Sequence, residues 1–275
     1  MSDVMSLLVG QIVQNRELVP RYFFLMSVKL PESLATPLPG QFVMVRVRDR
    51  RDLLLGRPFS IYAFARDKTA PVIELLYRTT GRGTIALSRL KSGEYLEILG
   101  PLGHGFDIFP EMKKIVLLAG GIGVVPLSFL ASHYRKLPIN DRLRIIAYLG
   151  AKSADHIVGM DRLQETCTDV KISTDDGSSG YHGFVTELLA DDMESYLHGD
   201  SVIYACGPPA MMKRLAKLLG DRPISCQVSV EERMACGVGA CLGCAIHVKA
   251  VGDKTRYRRA CQDGPIFDIR EIIWN

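Results

Sequence analysis

From Gln41 to Val47 (QFVMVRV) apolar and polar residues alternate, the period-two pattern of a strand with one face buried, and Val72–Tyr77 (VIELLY) and Tyr95–Leu99 (YLEIL) read the same way. Gly40, Gly56, Pro58, Gly81, Gly83 and Gly93 punctuate these runs, as turns between antiparallel strands do. Residues 1–104 therefore predict an N-terminal antiparallel β-barrel, ending in the turn cluster Gly100-Pro101-Leu102-Gly103.

The rhythm changes after Pro110. Short apolar runs at Lys114–Leu118 (KIVLL), Leu143–Leu149 (LRIIAYL) and Ser201–Ala205 (SVIYA) alternate with helical segments. One helix is expected over Pro126–Lys136, and another over Ala210–Leu219, where Met211, Leu215, Leu218 and Leu219 share a face. Strands alternating with helices imply an α/β parallel-sheet nucleotide domain, placed at 105–223. A small C-terminal domain follows at 224–275. It carries a short strand at Ala245–Val248 and a basic, solvated hairpin arm at Lys254–Arg259. No internal repeat or low-complexity segment is present.

With 275 residues the chain is long enough for several cores, and its 47% hydrophobic and 23% charged content is ordinary for a globular protein. A net charge of +4, scattered along the chain, gives no reason to expect nucleic acid as a partner. No apolar stretch is long enough to span a bilayer, so no membrane partner is expected. Met1–Val4 is not a basic segment leading into an apolar one, so the expected compartment is the cytoplasm.

The cysteines change the picture most. There are seven, an odd number, and four fall between positions 236 and 261. That clustering argues against a disulfide framework and for reduced thiols holding metal. Cys236, Cys241 and Cys244 are spaced C-x4-C-x2-C, with Cys261 following at a distance. This is the plant-type [2Fe–2S] pattern. Two irons bridged by two sulfides need four thiolates; a tight loop supplies three and a separate segment the fourth. Gly237, Gly239 and Gly243 let backbone N–H groups approach the sulfurs. The competing reading is a structural zinc site in a non-redox module, but zinc ligands usually come as two close pairs and here only one is present. Cys226 has no spacing partner and reads as a small buried residue.

Two further segments suggest cofactors. In Arg57-Pro58-Phe59-Ser60-Ile61-Tyr62 a guanidinium can pair with a pyrophosphate and the serine hydroxyl can bond a flavin ring nitrogen. Leu76, Tyr77, Arg78, Gly83 and Thr84 follow at a spacing that returns to the same groove. Arg78 is either a second phosphate contact or a surface charge. Gly120, Gly121 and Gly123 lie between an apolar strand and a helix, the context in which a glycine turn faces a nucleotide phosphate. The pattern is not G-x-G-x-x-G, so an ordinary Rossmann dehydrogenase is not supported. Cys206 and Gly207 also end a strand before a helix, at the sheet edge where ligands bind; for Cys206 a buried thiol is the alternative.

Taken together, RPFSIY, GRGT, AGGIGVVPL and YACGPPAMM resemble the ferredoxin–NADP reductase superfamily over roughly positions 8–220. The continuation EERMACGVGACLGCAI and ACQDGPIF is similar to the electron-transfer subunits of NAD-dependent, type B dihydroorotate dehydrogenases. That similarity extends beyond the cysteines to Glu231, Glu232, Arg233, Met234, Gly264 and Pro265.

The resemblance implies a barrel that binds FAD through Arg57, Pro58, Phe59, Ser60, Leu76, Tyr77, Arg78, Gly83 and Thr84. It implies an NAD site over Gly120, Gly121 and Gly123 and near Cys206 and Gly207, and a [2Fe–2S] cluster on Cys236, Cys241, Cys244 and Cys261. No residue of this chain is expected to act as an acid or base. An FMN-containing dihydroorotate dehydrogenase catalytic subunit would be the partner, in a heterotetramer with two of each chain serving pyrimidine biosynthesis. Electrons would enter from that FMN, pass singly through the cluster to FAD, and leave as a hydride to NAD+. Related flavin and iron–sulfur subunits serve sulfide dehydrogenases and ferredoxin:NADP oxidoreductases. Those tend to replace the first cysteine with an acidic residue, whereas Cys236 is present here.

Overall fold

The structure, a computed structural model, describes residues 6–50, 52–66, 70–138, 143–196, 199–250 and 254–274. Its first part is a seven-stranded antiparallel sheet built from β1 (Ser6–Val19), β2 (Phe23–Lys29), β3 (Phe42–Val47), β4 (Arg57–Ser60), β5 (Ala63–Arg66), β6 (Pro71–Arg78) and β7 (Tyr95–Leu102). The spatial order is β4-β3-β7-β1-β2-β6-β5. The edge strands β4 and β5 are separated in sequence only by Ile61 and Tyr62. The chain cannot step from one edge to the other in two residues unless the sheet rolls up, which makes it a half-barrel. Ile12, Met26, Val28, Val43, Val45, Ile61, Ile73, Leu96 and Ile98 fill the interior. Each such side chain contributes about 1.5–3 kcal/mol by leaving water. The short helix α1 (Arg82–Ser88) adds Ala86 and Leu87 to this core.

β3, β6 and β7 lie where the alternation predicted them, each within a few residues of the expected ends. β1 and β2 had no clear pattern to announce them. β1 is interrupted by Gly10, Asn15 and Glu17 and has register irregularities between Ile12 and Gln14 and between Glu17 and Val19. A bulge of that kind breaks the period-two signal.

The second sheet has β8 (Lys114–Gly120), β9 (Arg144–Ala151), β10 (Asp169–Thr174), β11 (Tyr181–His182), β12 (Ser201–Cys206), β13 (Ser225–Ser229) and β16 (Ile266–Asp268) in the order β11-β10-β9-β8-β12-β13-β16. All pairs are parallel except β13–β16. Helices α2 (Val124–Lys136), α3 (Met160–Thr166), α4 (Val185–Asp192) and α5 (Pro209–Leu219) pack against it. Every residue of β12 is buried, as a central parallel strand requires. From β8 the order runs one way to β9 and β10 and the other way to β12 and β13. The crevice for ligands in such sheets lies at that reversal, outside the carboxyl ends of the strands. Helix α2 begins two residues before Pro126 because Gly121–Gly123 form a single 3-10 turn that feeds into it.

The sheet does not stop at residue 223, since β13 and β16 complete it. Between them, β14 (Ala245–Lys249) and β15 (Thr255–Arg259) form a separate two-stranded hairpin, followed by the single turn α6 (Ala260–Asp263). The basic arm expected at Lys254–Arg259 is thus mostly a paired strand.

The units interlock. Phe129 of α2 packs in the barrel core, while Phe23, Tyr62 and Leu76 of the barrel pack in the α/β core. At the rim Arg162 on α3 binds Glu74 on β6 at 2.7 Å and lies 4.5 Å over the Tyr62 ring.

Candidate functional site

Two adjoining clefts and one cysteine loop carry the chemistry. The first cleft, about 320 Å³, is lined from the barrel by Arg57, Pro58, Phe59, Ser60, Leu76, Tyr77, Arg78 and Thr84. Strands β4 and β6 bring these together, since both lie near the seam where the sheet edges approach. Gly83 stands behind the wall: a Cβ there would be 2.0 Å from Arg57 Nε, so the glycine leaves the volume that the guanidinium fills. Thr84 Oγ1 accepts the N–H groups of Thr80 (2.8 Å) and Gly81 (3.1 Å), fixing the loop that enters α1. Phe59 and Tyr77 meet edge to face at 5.5 Å. An arginine held against a glycine in the first turn of α1, beside aromatic and hydroxyl groups, suits a ligand that is an anion at one end and a flat ring at the other.

The opposite wall comes from the C-terminal part of the chain: Ser229, Val230, Glu231, Glu232, Met234 and Pro265. Of these, Ser229 and Val230 had no motif to mark them, because an ordinary strand end carries no chemical signal. Glu231 lines both clefts. It is open to the cleft space but enclosed by protein elsewhere; burial raises its carboxyl pKa, and Arg78 opposes the rise.

The second cleft, about 460 Å³, opens at the sheet reversal. Gly120 and Gly121 at the end of β8 and Gly207 at the end of β12 line it. Gly123 and Cys206 stand behind them. A Cβ on Gly123 would be 2.1 Å from the Cys206 carbonyl oxygen, so the two turns touch through backbone. The Cys206 thiol is buried, which pushes its pKa up. The far wall holds Lys152, His156, Asp175, Phe184 and Arg214, none of which the sequence singled out as site residues. Glycine turns at the strand ends next to the start of α2 suit the diphosphate of a dinucleotide.

Cys236, Cys241, Cys244 and Cys261 are all free thiols gathered on the loop after β13 and on α6. Cys244 Sγ and Cys261 Sγ lie 3.3 Å apart, close but far beyond a disulfide bond. Cys236 Sγ accepts the N–H groups of Val238 and Cys241, both at 3.4 Å, and Cys261 Sγ accepts that of Gly239 at 3.0 Å. Gly237 and Gly239 have φ of +73° and +79°, which lets those amides turn inward. Burial acts to raise the Cys236 pKa, but the amides outweigh it and hold the thiol near about 6. Burial and neighbouring Cys244 push Cys261 up to about 12. Among the described residues no three His, Cys, Asp or Glu side chains surround one ion position. The thiols form two near pairs, Cys236 with Cys241 and Cys244 with Cys261. Four thiols in two pairs, with amides aimed at sulfur, fit a two-iron cluster by the chemistry of the donor set.

Gly237 packs against the barrel, since a Cβ there would be 2.5 Å from Met44 Cγ. The loop is therefore seated on the same half-barrel that forms the first cleft. Met234, two residues before Cys236, lines that cleft.

Fold and site together define an NAD-binding oxidoreductase with an iron–sulfur segment. Residues 117–217 match the oxidoreductase NAD-binding domain, and residues 231–273 match the iron–sulfur cluster binding domain of dihydroorotate dehydrogenase B. The structure is similar to that of an NADH-dependent reduced ferredoxin–NADP oxidoreductase studied for flavin-based electron bifurcation (TM-score 0.78, 24% identity, 96% of this chain and 90% of that one). It is also similar to a ferredoxin NADP+ reductase from Neisseria gonorrhoeae, solved with bound FAD and NADP (TM-score 0.62, 18% identity, 79% and 92%).

In sequence the chain is 38% identical to the electron transfer subunit of dihydroorotate dehydrogenase B (NAD(+)) from Desulforamulus reducens, over 91% of this chain and 92% of the relative. It is 38% identical to that from Streptococcus mutans, over 95% and 96%. The chain belongs to the family of electron transfer subunits of dihydroorotate dehydrogenase B (NAD(+)).

Proposed function

We propose that this chain carries electrons from the FMN of a dihydroorotate dehydrogenase catalytic subunit, by way of a [2Fe–2S] cluster and FAD, to NAD+. The observation that carries the reading is the shared wall of the first cleft. Residues from the barrel and residues within a few positions of Cys236 face the same space. A one-electron site and a ring site that share a wall are close enough to exchange electrons.

A flavin would supply the conversion between single electrons and the electron pair that nicotinamide takes. The residues of this chain bind and position. Arg57, backed by Gly83, and Arg78 hold the anionic part of FAD; Pro58, Phe59, Ser60, Leu76, Tyr77 and Thr84 enclose the rest. Gly120, Gly121 and Gly207 form the floor under NAD, while Gly123 and Cys206 hold the two turns together. Cys236, Cys241, Cys244 and Cys261 hold the cluster, and the Val238, Gly239 and Cys241 amides favour thiolate there. The working division is a flavin unit at 1–104, a nucleotide unit at 105–223 and a cluster unit at 224–275, the last lending β13 and β16 to the nucleotide sheet.

The partner is the FMN-containing catalytic subunit, two of each chain forming a heterotetramer that serves pyrimidine biosynthesis in the cytoplasm. No helix among the described residues is long and apolar enough to cross a membrane. The partner docks over the cluster loop, where Cys241 is exposed and Leu242 is 64% exposed, because electron transfer needs a short gap.

The purified chain should oxidise NADH with an artificial acceptor but form no orotate from dihydroorotate. Co-purification from the native source should bring an FMN-containing subunit with it. Orotate formation by the chain alone would refute the division of labour.

A further inference from the structure

Arg78 on β6, Ile122 in the turn after β8, and Glu231 line both clefts. The clefts therefore join at a seam between the half-barrel and the nucleotide unit. Tyr62 stands behind that seam. It lies two residues beyond Ser60 in the wall of the first cleft, yet its ring is 6% exposed and packs in the core of the nucleotide unit. Its hydroxyl faces the start of α3: a Cβ on Gly159 would be 3.6 Å from the Tyr62 oxygen and 3.1 Å from Val124, the first residue of α2. Tyr62 thus reaches from the strand that walls one cleft to the helix start beside the other.

Arg162 clamps this tyrosine. Its Nη2 donates to Glu74 Oε2 at 2.7 Å, and its guanidinium lies 4.5 Å over the Tyr62 ring. Glu74 is itself tied to Tyr62, whose N–H donates to the Glu74 carbonyl at 2.9 Å. On the other side, α3 is anchored in its own unit by Leu163, which is buried. Arg162 lines neither cleft. Its ion pair leaves 28% and 27% of the two side chains exposed, and such pairs add little to stability. What the contact does supply is orientation, because a planar guanidinium that meets a carboxylate and a ring face at once admits few arrangements.

We infer that Arg162 is a positioning residue that fixes the half-barrel against the nucleotide unit, and so sets the spacing between a flavin in the first cleft and a nicotinamide in the second. The inference rests on the reading of the clefts as FAD and NAD sites. Hydride transfer needs the reacting atoms about 3–3.5 Å apart, and a displacement of about 1 Å can cost about a hundredfold in rate. Arg162 acts only through Tyr62 and Glu74. Loss of the clamp should therefore slow the transfer without releasing either ligand.

The test uses the full chain carrying its cofactors, as parent protein, Arg162→Met, Arg162→Lys, Glu74→Gln and the control Arg46→Gln, which breaks the ion pair with Glu97 within the half-barrel. Bleaching of the flavin band by NADH without oxygen, followed by stopped flow, separates the limiting rate from NADH affinity. Arg162→Met should lower the limiting rate at least about tenfold, with NADH affinity and FAD content within about twofold of the parent. Arg162→Lys, which keeps a cation for both partners, should recover the rate to within about threefold of the parent. Glu74→Gln should fall between the parent and Arg162→Met. The double variant should be no slower than Arg162→Met, since the two side chains act as one contact. Arg46→Gln should stay within about twofold of the parent. Backbone hydrogen exchange in the protein without NADH is the second readout. The Tyr62 and Leu163 amides, on the two sides of the seam, should exchange faster in Arg162→Met than in the parent.

A limiting rate within about twofold of the parent in Arg162→Met would overturn the inference. So would unchanged exchange at both amides, or an equal fall in rate in Arg46→Gln. If Arg162→Met does not retain FAD, the same comparison falls to Glu74→Gln, where a parental rate and parental exchange would overturn the inference. A parent that NADH does not bleach would count against the functional reading. The exchange measurement would then decide the role of Arg162 on its own.

Discussion

Gly83 lies so close to Arg57 that a Cβ added to it would stand 2.0 Å from Nε and 2.3 Å from Cζ. A methyl group there must push the guanidinium out of the wall of the first cleft. Gly83→Ala should therefore release FAD, raising its Kd by about tenfold or more, since a bidentate charged contact is lost. The helix itself should gain slightly from alanine. Flavin content after purification and the far-ultraviolet spectrum together check this. A yellow variant that binds FAD like the parent would show that Arg57 does not hold the cofactor.

Cys261 is the thiol contributed by a separate segment, yet its sulfur is 3.3 Å from that of Cys244 and receives the Gly239 amide at 3.0 Å. Cys261→Ser should abolish or greatly weaken the cluster while FAD stays bound, because the residues proposed to hold the flavin lie mainly on the half-barrel. Electron paramagnetic resonance after reduction reads the cluster and visible absorption reads the flavin. A full [2Fe–2S] signal in the variant would remove Cys261 from the ligand set.

The contact between Gly123 and Cys206 is made through backbone, with 2.1 Å between the Cβ of an alanine there and the Cys206 oxygen. Gly123 has φ of −60°, so its conformation suits any residue; only the close approach demands glycine. Gly123→Ala should cost about 1–3 kcal/mol of stability by forcing the turns apart. NADH affinity should fall more than FAD affinity. Equal losses for both ligands in calorimetric titrations would mean that the damage is general rather than confined to the nucleotide cleft.

Away from the clefts, Asp192 at the end of α4 accepts bonds from Lys171 and from the buried Tyr148 hydroxyl. Burial works to raise its pKa, but these two donors prevail and hold it below the ordinary carboxylate value. A carboxyl with a depressed folded pKa contributes stability that is complete above its unfolded pKa and lost as the pH falls through the folded value. Asp192→Asn should thus cost about 0.5–1 kcal/mol at pH 7, a modest figure because solvent screens the partly exposed ion pair. The difference in Tm from the parent should hold constant down to about pH 5 and shrink below about pH 4. A difference that persists unchanged to about pH 3 would show that ionised Asp192 does not matter.

Much of this was legible before any coordinates. The cysteine quartet stood out because metal ligands are marked by residue type and spacing, and β8, β9 and β12 were readable because buried parallel strands are continuous apolar runs. β1 was not, since Gly10 and its bulges break the alternation. β13 and β16 were not, because a short strand finishing another unit's sheet has no pattern of its own. The same holds for the site. RPFS and the glycine turns carry local signals, but Ser229 and Val230 become notable only when the fold places them on a cleft wall. The roles of Gly83 and Gly123 also needed the structure: both stand behind the walls, each keeping open the space that a neighbouring group fills.

Electron transfer through a cluster and a flavin is tested most directly by the metal and flavin content of the chain purified without oxygen. Iron, acid-labile sulfide and FAD should be present in a ratio of about 2:2:1, with a flavin band and a [2Fe–2S] shoulder that both bleach when NADH is added. A colourless protein holding zinc on the four cysteines, and unaffected by NADH, would contradict it.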